Sequence, residues 1–190
     1  MLTRQSFSPD EIPEEIAAAI LDSDTTAIIA SDLQGAPPPK PDFILQNMRA
    51  ALDTDGYVLN VILAATADLA LMSPAPDDLT PSLGALMMLR VSEQIGPLAW
   101  IAVGMDIYIR EGDAWKVDGV SPAEAFKRGL PGSGEALVAM CVAPDGPGYY
   151  VEQRYTRTPE GPIVFAEPEE HTVSPRAGDV LDVLRVAVQA

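Results

Sequence analysis

The chain has 190 residues, 47% of them hydrophobic and 21% charged, with a net charge of −16. That hydrophobic content supports a packed core and excludes disorder of the whole chain. The charge repels phosphate backbones and anionic headgroups, which argues against direct contact with nucleic acid or a membrane surface.

From the N-terminus, Ser8-Pro9-Asp10-Glu11 reads as a capped helix start, with Ile16, Ala17, Ile20 and Leu21 at helical spacing behind it. No basic region followed by an apolar run marks residues 1–11 as a secretory signal. Asp22 to Leu33 is ambiguous between a frayed continuation of that helix and a short strand, Thr25 to Ala30. Gly35 to Pro41 holds four prolines and reads as a stiff connector, a spacer more than a proline-motif ligand. Asp42 is expected to cap a helix that runs to about Asp53 and stops before Gly56, with Ile44, Leu45, Met48 and Leu52 on one face. Tyr57 to Met72 is apolar but broken by Asn60, Thr66 and Asp68. It falls short of the roughly 20 apolar residues of a membrane span, and periodicity leaves helix or strand open. Ser73 to Asp78 reads as a loop, and Thr80-Pro81 opens a helix that ends at Gly96-Pro97.

The pattern changes after residue 97. Leu98 to Arg110 alternates Trp100, Ala102, Gly104, Asp106, Tyr108 and Arg110 on one side with Ile101, Val103, Met105, Ile107 and Ile109 on the other. A strand apolar on both faces belongs in the middle of a covered sheet. Glu111 to Asp113 is a turn, and Ala114 to Val117 reads as a short strand. Ser121-Pro122-Ala123-Glu124 is a capping box for a short helix closed by Gly129. Leu137 to Val142, Tyr149 to Arg157 and Ile163 to Ala166 are strands; in the second, Tyr149, Val151 and Tyr155 face inward. Val180, Val183, Leu184, Ala187 and Val188 form the apolar stripe of a final helix over about 178–189.

This order predicts an α+β fold in one domain: a mainly helical region over 1–96, then a mostly antiparallel sheet of about four to five strands over 97–190, with a C-terminal helix packed on it. A weak echo relates Met48–Leu71 to Leu86–Ile109, without a fixed period. The acidity is uneven: residues 1–96 hold four basic and 14 acidic residues, against eight and 14 in 97–190.

Familiar chemistries fail on physical grounds. Gly129 to Gly134 is glycine-rich but follows a helix and precedes a strand, the reverse of a phosphate cradle, and Glu135 adds the wrong charge. Asp53-Thr54-Asp55-Gly56 lacks the later ligands of a calcium loop. Cys141 is the single cysteine, so no intrachain disulfide forms, and its apolar strand lacks the electropositive setting of a reactive thiol, even opposite the single histidine, His171. His171, with Glu167, Glu170 or Asp106, is a thin ligand set for a metal, and a solvated acidic loop is the better reading. No metal or other cofactor is expected, and no catalytic or binding residue is assigned. Asp106, Tyr108 and Arg110 are expected to share a face with Tyr150, Glu152 and Arg154, as a cross-strand charge ladder.

Three functional readings result. The first is a non-enzymatic cytoplasmic binding or regulatory protein with a protein partner or a homodimer, since a mean hydropathy of +0.11 is high for so acidic a chain. The second is a carboxylate-dependent hydrolase, with or without a divalent metal, drawing on Asp106, Glu152, Glu167 and Glu170. The third is an acidic mimic or inhibitor of a nucleic-acid-binding protein, its carboxylates spaced along one face of the helical half.

Overall fold

The computed structural model describes residues 28–29, 37–67, 70–74, 96–111, 118–144, 148–158, 161–171 and 188. In chain order the elements are β1 (Ile28–Ile29), α1 (Pro41–Asp55), β2 (Val61–Ala65), β3 (Ala70–Pro74), β4 (Trp100–Arg110), α2 (Pro122–Lys127), β5 (Ser133–Val142), β6 (Tyr149–Thr156), β7 (Val164–Phe165) and β8 (Glu169–His171). They form one sheet in the order β1-β3-β2-β4-β5-β6-β7, with β8 also on β6, and every pairing is antiparallel. The class is α+β, with the sheet dominant.

β4 lies in the interior of the sheet, between β2 and β5. Its alternation sorts the core into two layers. Trp100 and Ala102 join Leu63, Ala65, Leu137, Ala139, Cys141, Val151 and Tyr155 beneath α1. Ile101 and Val103 face the other way with Ile62, Ala64, Val138, Met140 and Val142, and Leu98 and Val188 are buried against that second face. This is the double burial that the two apolar faces of Leu98–Arg110 predict.

α1 forms because Pro41 sits at its first turn and Ile44, Leu45, Met48 and Leu52 recur on one buried face. Gly56 ends it with φ of 75° and donates its N–H to the Leu52 carbonyl at 3.0 Å. The capping residue is Lys40, not Asp42; Asp42 lies in the first turn, where its charge suits the positive end of the helix dipole. Tyr149 Oη donates to the Pro39 carbonyl at 2.5 Å, which ties the proline connector to the sheet. α2 starts as its capping box predicts, with Ser121 Oγ accepting from the Glu124 N–H at 3.2 Å.

Three expectations change. Residues 57–72, open between helix and strand, supply most of a β2–β3 hairpin, and β3 continues through Ser73 and Pro74, expected as loop. The half expected to be mainly helical thus adds three strands to the sheet. β5 begins at Ser133, ahead of the apolar run at Leu137, because β4 extends far enough to pair Arg110 with Ser133. The Glu167–His171 segment is not purely loop: Glu169–His171 pairs with β6. The helices expected at 8–21, about 80–95 and about 178–189 (Val188, which is helical, apart) and the strand at 114–117 lie outside the described residues.

Candidate functional site

The register of the sheet decides which polar side chains meet. Asp106 pairs with Leu137, and Leu137 with Gln153, so Asp106 stands on the α1 face. Tyr150, Glu152 and Arg154 pair with Met140, Val138 and Ala136 and stand on the opposite face. The expected face shared by the Asp106 and Glu152 sets therefore does not form; β5 separates β4 from β6 and sets a register that neither strand's own pattern reveals. Arg154 instead bridges Glu111 at 2.6 Å and Glu152 at 3.4 Å.

Asp106 is held in a polar network that the α1 face encloses. Its N–H donates to Asn60 Oδ1 at 2.8 Å, so Asn60 extends the β2–β4 contact past the last paired residues. Tyr155 Oη lies 2.8 and 3.1 Å from the Asp106 carboxylate oxygens and 3.1 Å from Glu135 Oε1, and its single proton can go to only one of them at a time. Arg157 closes the group: Nη2 donates to Tyr155 Oη at 3.2 Å, Nε to Glu135 at 3.2 Å and Nη1 to the Gly56 carbonyl at 2.8 Å. Burial is the largest influence on Asp106 and, with the nearby Glu135 charge, holds its carboxyl above the usual carboxylate value against the opposing pull of Tyr155 and Arg157. Burial likewise pushes the Tyr155 phenol up, helped by its bond to Asp106.

The sign of the resulting pH dependence follows from linkage. A carboxyl with a raised folded pKa binds its proton more tightly in the native state, so stability is lost as pH rises from the unfolded value of 3.8 through the folded value. Asp106→Asn removes that loss. As pH rises above about 4, wild type should fall in stability relative to Asp106→Asn, and a constant difference in parallel urea titrations would contradict this account.

Of the four carboxylates singled out in the sequence, Asp106 meets none of the others. Glu152 is across the sheet, and Glu167 and Glu170 are exposed. His171 is exposed too, with its ring edge-on to Tyr150 at 5.5 Å. The carboxylate whose charge Asp106 does feel is Glu135, which in the sequence stands out only as the wrong charge for a phosphate cradle, because its place in a strand appears only through pairing. Among the described residues no group of three or more His, Cys, Asp or Glu is arranged to hold a metal ion, and no helix is long and apolar enough to cross a membrane. Burial raises the Cys141 thiol to about 12, which leaves it protonated at neutral pH.

No family model, curated protein or solved structure matches this chain.

The second candidate is apolar. A helix is about 10 Å across and neighbouring strands about 4.8 Å apart, so one helix covers about two strands of a sheet. α1 lies mainly over β4, β5 and β6, with the β2–β3 hairpin at its side. Between them runs an open groove of about 240 Å³. Ile44, Met48 and Ala51 of α1 form one wall, Val61, Leu63 and Met72 of the hairpin the other, and Tyr57 and Leu59 the segment that joins them. Large apolar side chains at the groove stay in water: Leu59 is 58% exposed, Tyr57 59% and Phe43 36%. Asp55, at the C-terminal end of α1, also lines it.

Proposed function

We propose that this chain is a non-enzymatic binding or regulatory protein and that the groove beside α1 is its binding face. The carrying observation is the contrast between the two candidates. The polar network around Asp106 satisfies itself, with Tyr155 and Arg157 filling the space between the carboxylates, so the hydrolase reading finds less support. The groove keeps three large apolar side chains together in water, and a contiguous exposed apolar patch is the usual mark of an interaction site. The mimic reading draws on carboxylates that, in residues 1–96, fall mostly outside the described residues.

The proposal includes a cytoplasmic location, supported by a single cysteine that cannot pair within the chain. It also includes a C-terminal helix on the second face of the sheet, supported by the stripe that ends at Val188 and by the burial of Val188 in that layer.

The neutral dye Nile red tests the groove. Wild type should enhance and blue-shift its emission, and Ala51→Phe, which fills the groove from the helix side, should remove most of that signal. Ala51 is partly buried, so a parallel urea titration checks that the variant keeps its fold. Equal emission from both proteins would end the groove reading, and Leu59→Ser at the exposed rim gives a second check.

A further inference from the structure

We infer that the groove takes a cationic amphipathic segment of another protein, one apolar face in the groove and its basic residues over the C-terminal end of α1. This rests on the groove being the binding face. Apolar anchors in a groove between a helix and a hairpin suit an amphipathic helix, which presents side chains at i, i+3, i+4 and i+7.

The sign of the partner comes from α1. Its last turn carries Asp53 and Asp55 and no basic residue, so both carboxylates sit at the negative end of the helix dipole, where they oppose it. Asp55 lines the groove itself. Arg157 donates to the Gly56 carbonyl at this end but is already divided between Glu135 and Tyr155. Lysine or arginine from a partner would complement this end, and the chain's net charge of −16 would steer such a partner toward it. The same charge works against a second copy as the occupant, because two chains at −16 repel.

The test uses the full chain and two fluorescein-labelled helical peptides, with leucines at i, i+3, i+4 and i+7 and either lysines or glutamates elsewhere, read by anisotropy. The lysine peptide should bind about tenfold or more tighter than the glutamate peptide. Asp55→Asn should cut its affinity about twofold to fivefold, in line with one exposed charge pair at the groove. Ala51→Phe should abolish its binding. Equal affinity for the two peptides, with binding still lost in Ala51→Phe, would overturn the cationic partner and leave the groove standing. Binding of the lysine peptide that Ala51→Phe does not change would assign it to general attraction by an acidic chain, and the inference falls. Failure of both peptides, whether or not Nile red binds, also overturns it. So does sedimentation of wild type as a dimer that Ala51→Phe makes monomeric, because a second copy is then the occupant.

Discussion

Trp100→Ala should lower the stability of the fold by about 3–5 kcal/mol, the range for removing a large aromatic side chain from a closed core. Trp100 is 1% exposed and is the largest of the fully buried side chains among the described residues. It enters the layer under α1 at the start of β4, with Ala65 directly across on β2 and Ala102 two residues on, both on the same face. Those small neighbours leave room for an indole and cannot close over its absence, so the lost contacts and the cavity add together. In a chain of this size the loss corresponds to a melting temperature lower by roughly 10 °C. Circular dichroism should follow the unfolding, because the substitution removes one of the two tryptophans. A loss below about 1 kcal/mol would mean that the layer under α1 is looser than described.

Gly104→Val should cost about 1–3 kcal/mol and alter the groove at the same time. Gly104 lies in the middle of β4 facing α1, and a Cβ built there would stand 3.0 Å from Ile44 Cγ2, 3.0 Å from Met48 Sδ and 3.4 Å from Val61 Cγ2. The two closest contacts belong to α1 side chains, so a branched residue wedges the helix off the strand. Ile44, Met48 and Val61 also line the groove. Seating the helix and setting the groove's depth are therefore one packing event at one glycine. Gly104→Ala is the graded control, since the Met48 thioether can swing aside from a single methyl. Urea titration and Nile red emission should move together across Ala and Val. Unchanged values for Gly104→Val would show that α1 does not seat on β4 at this point.

The residues that sort the sheet were legible because burial leaves a period in the sequence. Trp100 and Ala102 against Ile101 and Val103 mark β4 as a strand covered on both sides, and Tyr149, Val151 and Tyr155 mark the buried face of β6. The stripe from Ile44 to Leu52 and the capping residue Ser121 are local signals of the same kind, since helix spacing and a hydroxyl three residues from an amide need no distant partner.

Pairing and layer geometry decided the rest. The apolar run after Tyr57 suits helix or strand equally until β3 and β4 flank β2. A one-residue slip in register reverses every side chain, so no pattern within β4 or β6 alone could tell that Asp106 meets Tyr155 and Glu135 and turns its back on Glu152. The groove is further still from the sequence. It exists because one helix is narrower than the sheet beneath it and because Gly104 lets that helix sit close to β4, leaving Tyr57 and Leu59 in water beside the hairpin. The sequence by itself determined which residues are apolar and at what period. Which of them a neighbour covers is a property of how layers of unequal width pack, and only the tertiary structure decided it.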